Sequence, residues 1–394
     1  MNAKITRDPV MRVATVVWLL VLTGVVAKTI LRPHAQSVFT VYWKAGAHWL
    51  HGETLYSSGS GFLYPPIAAA WFAPFALLPL VLGAIIWRVL TTTAFFWATW
   101  AGARRILVEA PRAIGWGMLA LVPLAIGNIN NGQAGILVAA LMVFSLCAVA
   151  DGRWQLVAAA GAVAGAFKIY PLALPLLLVV FYPRQLLWRL GVWLAGLFAL
   201  SLVLQDPAYA FSQYQEWLAH LGGDERRLAE TYGTWRDAWL MLRVARVPIT
   251  PPGWAVLQAT MGAAAAAFCF WGRRSGWKRR RCLLAALCLS SVWMTLFGPA
   301  TESSTYILLA PAVTWGLVVA WAIPHATWLR AGMTVAFGLL GGANAINAWI
   351  SPVRSVHLVH LVQPLAALVF LITAVAWLCA DFLWADSEDR GAES

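Results

Sequence analysis

The sequence predicts an all-α integral membrane protein of about 12 transmembrane helices, with further helices lying at one membrane interface. Three features of the chain lead to this class. Of its 394 residues 61% are hydrophobic and only 11% are charged, more apolar side chain than a globular core can cover. The apolar residues come in stretches near one bilayer in length, since a hydrocarbon core of ~30 Å takes roughly 20 helical residues. Twenty-four tryptophans and nine tyrosines suit many membrane-water boundaries, where an amphipathic ring is stabilised. The formal charge of +12 does not indicate nucleic acid, because the basic residues fall in short runs between apolar stretches rather than along one soluble face. Cys147, Cys269, Cys282, Cys288 and Cys379 lie in apolar stretches or at a span end, with no CxxC and no histidine cluster, so neither a disulfide nor a cysteine metal site is expected.

The first apolar run, Val10 to Ile30, follows Lys4, Arg7 and Arg12; it is too long for a signal-peptide core and lacks a small-residue cleavage site, so it is read as a retained span. The remaining spans are expected near 83–103, 114–128, 132–150, 154–167, 170–183, 187–205, 253–271, 282–299, 304–322, 328–348 and 358–380. Between the first two, Phe62 to Val81 is apolar but broken by Pro65, Pro66, Pro74 and Pro79, each lacking a backbone donor. If it dips in or lies at the interface, the basic clusters at Lys4–Arg12, Arg104–Arg112, Arg153, Arg184/Arg189, Arg273–Arg281 and Arg330 share one side, the cytoplasm. This organisation is one polytopic domain over 1–380, with external segments 31–82 and 206–252, and an acidic cytoplasmic tail, 381–394, without an evident task.

The chemistry-bearing residues gather on the external side. In VFTVYWKAGAHWLH (Val38–His51), Thr40, Lys44, His48 and His51 form one helical stripe with aromatics around the rest; this is an interfacial helix, or the roof of a site reached from the bilayer. Tyr64-Pro65-Pro66 opens the rigid segment that follows. The turn GNINNGQ (Gly127–Gln133) sets amides, including Asn131 and Gln133, between apolar helices, where they cap helices or line a polar cavity. Lys168, beside Tyr170, joins two spans too short to cross alone, which predicts an ammonium in an external depression, suited to a phosphate unless it snorkels to the interface. The hydrophilic stretch 206–252 mixes Tyr209, Tyr214, Trp217, Tyr232, Trp235 and Trp239 with charges, as a surface for stacking on sugars would. Within it Asp224, Arg226, Arg236 and Asp237 flank a glycine turn and a helix start. Glu302, in FGPATESSTY, is a lone acid at a membrane boundary and hence a functional candidate, with helix capping as the alternative. There is no Walker loop, GxGxxG, HExxH or GxSxG, and His357/His360 have no acid nearby, so no metal or cofactor is expected.

In order, VYWKAGAHWLHGETLY, FLYPP with Pro79, NNGQ, FKIYP and GPATESSTYILLAP resemble glycosyltransferase family 87, integral membrane enzymes of the GT-C superfamily. The resemblance covers most of the chain. It implies a GT-C-like helical fold, a polyprenyl-phosphate sugar donor, and inverting transfer of a hexose such as mannose to a glycan or glycolipid on the external face. Family members often carry an aspartate just before the VY of the first external segment, taken as the catalytic base; here that stretch reads AQSVFTVY, and neither Ser37 nor Val38 can do that chemistry.

Such a transfer needs a base for the acceptor hydroxyl and cations for the departing phosphate. The expected base is Glu302, then Asp237, then Asp224. Lys168, Arg236 and Arg226 would hold the phosphate, and Tyr42, Tyr64, Asn131, Gln133 and Tyr170 would shape the pocket, with the lipid tail entering near the interfacial helix and the YPP segment. The alternatives are a lipid or sugar transporter or flippase, for which midplane charges and a two-half repeat would be expected, and a non-catalytic relative.

Overall fold

The computed structural model describes the chain apart from residues 1–7, 34, 36, 58, 108–109, 224–234, 324–325, 350–351, 382 and 385–394, and over 344–358 it describes backbone only. Asp224, Arg226 and most of the acidic tail therefore lie outside the described residues. The rest is helical: α1 (Pro9–Leu31), α2 (Phe39–His51), α3 (Pro66–Ala76), α4 (Leu80–Ile106), α5 (Ile114–Asn131), α6 (Gly135–Ala150), α7 (Trp154–Phe167), α8 (Ala173–Phe181), α9 (Pro183–Leu204), α10 (Pro207–Gly222), α11 (Ala238–Val244), α12 (Pro251–Arg274), α13 (Arg279–Val292), α14 (Ala310–Ala322), α15 (Thr327–Trp349) and α16 (Pro352–Cys379). Each of the twelve expected spans coincides with a helix. Seven helical stretches among the described residues, those of α1, α4, α5, α9, α12, α13 and α16, are long and apolar enough to cross a bilayer, and the protein is a multi-pass membrane protein.

Local chemistry explains the boundaries. The Asp8 carboxylate accepts from the Val10 N–H at 3.0 Å and Pro9 opens the first turn of α1, where a missing N–H costs nothing. Prolines likewise open α3, α9, α10, α12 and α16. The proline-broken segment folds as α3, whose 11 residues rise about 16 Å, half of what a crossing needs.

Burial divides the helices into a centre and a rim. The stretch Arg279–Phe297 is 83% buried and forms the middle of the bundle, whereas α1, α9 and α12 bury about a fifth of theirs and turn leucine, valine and tryptophan outward, as helices in hydrocarbon do. At the end away from the site, Arg281 of α13 is 5% exposed, stacks on Trp277 at 4.0 Å, donates to the Leu378 carbonyl and pairs with Asp381 at 2.6 Å. Arg105 and Asp151 form a second pair there at 3.0 Å.

At the opposite end α2 lies on α3. Its buried side chains, Phe39, Tyr42, Ala45 and Trp49, recur at helical spacing, with Lys44 and His51 exposed, so the amphipathic reading of this segment holds. Gly46 makes the close approach possible, since a β-carbon there would sit 2.5 Å from the Phe72 carbonyl oxygen. Of the aromatic residues of 206–252, Tyr232 lies outside the described residues, and the others have a different task from the one the sequence suggested. Trp217, Trp235 and Trp239 are buried, Tyr209 Oη donates to the Glu53 carbonyl, and Trp217 Nε1 donates to the Leu63 carbonyl. These rings fasten α10 and α11 to the bundle rather than presenting a platform, because an amphipathic helix beside protein turns its aromatics inward.

Candidate active site

Several segments converge on one end of the bundle. The first contact is between two phenols: Tyr42 Oη of α2 and Tyr64 Oη of the loop before α3 are 2.7 Å apart. The Ala134 N–H donates to Tyr42 Oη at 3.2 Å, and Tyr42 Oη reaches Gln133 Oε1 at 3.5 Å. Tyr42 also stacks on Phe72 at 4.6 Å. Burial raises the pKa of both phenols, Tyr64 well above the ordinary value, so they serve as neutral hydrogen-bonding groups rather than bases.

Lys168 enters from the turn between α7 and α8. Its ammonium lies 5.6 Å from the Tyr64 ring and 5.5 Å from the Tyr170 ring, an arrangement of cation–π contacts. Burial alone would push its pKa down; the Tyr170 oxygen and the Glu302 carboxylate outweigh it, so the pKa lies above the ordinary lysine value. Gln133, Tyr64, Lys168 and Tyr170 share a void of about 10 Å³ with Ser304 and Thr305, scarcely one water in size. Ser304 also walls a second cavity of about 160 Å³, lined by Asn128, Asn131, Ser303, Tyr306 and Gln363.

Glu302 stands at the start of the short 3₁₀ helix Ser303–Leu308 that follows α13. Its N–H donates to Thr305 Oγ1 at 3.1 Å and Ser304 Oγ donates to Glu302 Oε2 at 3.4 Å, so the residue does cap this turn. The same carboxylate favours the charged forms of both Lys168 and Arg236. Arg236 is held by its own backbone, whose N–H donates to the Thr301 carbonyl at 2.8 Å and whose carbonyl accepts from Tyr306 Oη at 2.8 Å. Its guanidinium donates to Gln363 Oε1 at 3.3 Å, and Gln363 in turn donates to the Ser303 carbonyl. Asp237 is wholly buried and caps α11, its carboxylate accepting from the Leu240 N–H at 3.3 Å.

The structure thus gathers Tyr64, Gln133, Lys168 and Tyr170 around one void, with Tyr42 hydrogen-bonded to Tyr64 behind it, sets Asn131 in the adjoining cavity, and couples Glu302 to both cations. The sequence reading missed Arg88 and Gln363. Arg88, on α4, is 2% exposed and donates to the Ala84 carbonyl, to Ser37 Oγ at 3.2 Å and to the Asn130 carbonyl at 3.1 Å. With Trp87 Nε1, which donates to the Gly132 carbonyl at 2.9 Å, it clamps the turn that carries Asn131 and Gln133. Gly132 adopts a φ of 66°, and a β-carbon there would meet the Arg88 guanidinium carbon at 3.2 Å. A charged residue within an expected span was itself the signal.

The segments that carry these charges and amides lie largely within the part of the chain that is similar to known proteins. The chain is 27% identical over 334 residues to the polyprenol-phosphate-mannose-dependent alpha-(1-2)-phosphatidylinositol pentamannoside mannosyltransferase of Mycobacterium tuberculosis, with 79% of this chain and 74% of that protein covered. The model of glycosyltransferase family 87 matches residues 62–299, which include Tyr64, the amide turn, Lys168, Arg236 and Asp237. That match takes in more than half of the chain, and the protein belongs to glycosyltransferase family 87.

Proposed function

We propose that this glycosyltransferase moves a mannosyl group from a polyprenyl-phosphate donor to a hydroxyl of a glycan or glycolipid acceptor, with inversion, on the external face of a bacterial plasma membrane. The observation that carries the reading is a single carboxylate, Glu302, in electrostatic reach of two cations, Lys168 and Arg236, at one end of the bundle. The activity for which the mycobacterial relative is named supports the donor and the sugar.

In this reading the acceptor oxygen attacks the anomeric carbon, the bond from that carbon to the phosphate oxygen breaks, and its electron pair leaves with the phosphate. Glu302 takes the hydroxyl proton. Lys168 and Arg236 stabilise the charge gathering on the phosphate, and Arg226 is a third candidate for that task. The protonated Tyr42 and Tyr64, with Tyr170, Gln133 and Asn131, orient the sugar. Asp237 is the second choice of base, since its carboxylate already caps α11, and Asp224 is the third. The basic ends of the helices orient the domain over 1–380 with the start of α1 and the end of α16 in the cytoplasm and segments 31–82 and 206–252 outside.

Purified protein supplied with radiolabelled polyprenyl-phosphate mannose and a glycolipid acceptor should release polyprenyl phosphate. Glu302→Gln preserves shape and removes the base, so turnover should fall roughly 10²–10⁴-fold while donor binding and Tm stay near those of the unaltered protein. Substantial residual transfer would move the base to Asp237.

A further inference from the structure

A second feature of the bundle lies beside α13. Between α12 and α16, which both pack against α13, runs a cleft of about 530 Å³ with Ala264, Phe268, Leu289, Phe297, Ile372 and Ala376 among its walls. Among the described residues no charged side chain lines it. Leu289 and Phe297 form a buried floor, while Ala264, Ile372 and Ala376 are exposed along its rims, so it opens sideways toward hydrocarbon. Its size is that of a ligand site, where about 300–1,000 Å³ is usual.

Two observations tie the cleft to the active site. The floor ends in a π-helical turn, Trp293–Phe297, a departure from α geometry that recurs at functional positions. Trp293 Nε1 donates to the Gln258 carbonyl of α12, and Gln258 donates back to the Phe297 carbonyl, which fixes the upper mouth of the cleft. From that mouth the chain runs through Thr301, whose carbonyl holds Arg236, directly to Glu302. On α16 the cleft residue Ile372 lies nine positions below Gln363, the acceptor for the Arg236 guanidinium, or roughly 13 Å along the helix. The apolar cleft thus opens to the bilayer and ends about two and a half turns of α16 short of the residue that holds the Arg236 guanidinium.

The large groove between α4 and α6 makes the contrast. It has a similar volume, about 540 Å³, but it is rimmed by Arg105, Asp151 and Arg153, at the end of the bundle remote from Glu302. Lipid entering there would carry its headgroup to the wrong end.

We infer that the α12–α13–α16 cleft receives the isoprenoid chain of the lipid-phosphate donor, with the phosphate above it at Arg236. This rests on the proposed donor class, and it moves the tail away from α2 and the YPP segment, where the sequence reading put it. The apolar lining supplies hydrocarbon contact alone, and the phosphate finds its partner outside the cleft, so chain and headgroup are recognised by different residues.

The test uses full-length protein in detergent micelles and two donors, one with a long polyprenyl chain and one a short, water-soluble analogue whose chain ends before the cleft begins. Ala264→Trp and Ala376→Trp replace exposed small residues and fill the cleft. Each should lower kcat/KM for the long donor by about ten-fold or more, because a few methylenes lose their burial, while the short donor stays within about two-fold. Ala94→Trp, in the α4–α6 groove, should change neither. Photocrosslinking by a long donor carrying a diazirine in its chain should label α12 or α16 peptides, and the fillers should abolish that labelling. Equal effects on both donors, or labelling confined to α2 and α3, would overturn the assignment. Absence of transfer from either donor by the unaltered protein would instead strike at the function, and the crosslinking result would then decide the cleft by itself.

Discussion

Lys168 is the residue on which the phosphate reading turns. Lys168→Ala removes a charge-assisted partner worth about 1.5–3 kcal/mol, so donor affinity should fall roughly 10- to 150-fold in an equilibrium binding measurement. Unchanged affinity in a folded variant would return this side chain to a structural role among the tyrosines. Its pH behaviour follows from its raised pKa. A group raised on folding contributes stability that is fully present below its unfolded value, about 10.4, and lost only as pH rises through the higher folded value. The Lys168 contribution to donor binding and to Tm should accordingly be flat from about pH 7 to 10 and decline above it. The partnership of Lys168 with Glu302 was partly legible from the chain, since each is a rare charge at the end of an apolar stretch. Arg88 obeyed the same rule and was overlooked, because its neighbours on α4 read as an unbroken span. Ser37, one of the two residues in the stretch where the resemblance would place an aspartate, accepts a hydrogen bond from this same arginine.

Helices were the most legible elements, because hydropathy and helix length are both set by the bilayer. Which side of a helix meets protein was less so. The apolar positions of α2 pointed correctly to a buried face, whereas the aromatics of 206–252 could not reveal whether sugar or protein would cover them. The α2–α3 contact gives a sharp test of packing. Gly46→Val would drive a side chain into the Phe72 carbonyl, a backbone group that cannot swing aside, and overpacking of this kind costs about 1–3 kcal/mol. Tm should drop and transfer should weaken as Tyr42 is displaced from Tyr64. Gly24, on α1, has no atom within 4 Å of the corresponding position, so Gly24→Ala should leave both unchanged or slightly raise Tm. A neutral Gly46→Val would mean that α2 is not seated as described.

For the molecule as a whole, orientation is the property that decides where the chemistry happens. Single cysteines at Ser275, in the basic turn after α12, and at Ser212, on α10, should label from opposite sides with membrane-impermeant reagents in a background without native cysteine. Reaction of the Ser212→Cys protein from the cytoplasm would reverse the proposed topology. The alternation of apolar and basic segments made this arrangement readable. The partnering of helices was not: nothing in the residues of Arg279–Phe297 marks it as the centre of the bundle, because burial by protein and burial by lipid favour the same apolar side chains.

The clasp of Arg281 also has a consequence in time. The groups that hold it, the Leu378 carbonyl and Asp381, are translated after it, some hundred residues later, which at about 5–20 residues per second is roughly 5–20 s of synthesis. Throughout that interval the helix destined for the centre of the bundle carries an arginine without these partners and an apolar surface without its final neighbour. Such a segment is a natural client for whatever guards nascent membrane chains, and the end of α16 acts as the latch that releases it. Nascent chains stalled just before Leu378 should be cut by protease near α13 and remain bound to the insertion machinery, whereas chains stalled well beyond Asp381 should be resistant. Closure of the Arg281 clasp thereby waits on the end of α16 rather than on the order in which the spans enter the membrane.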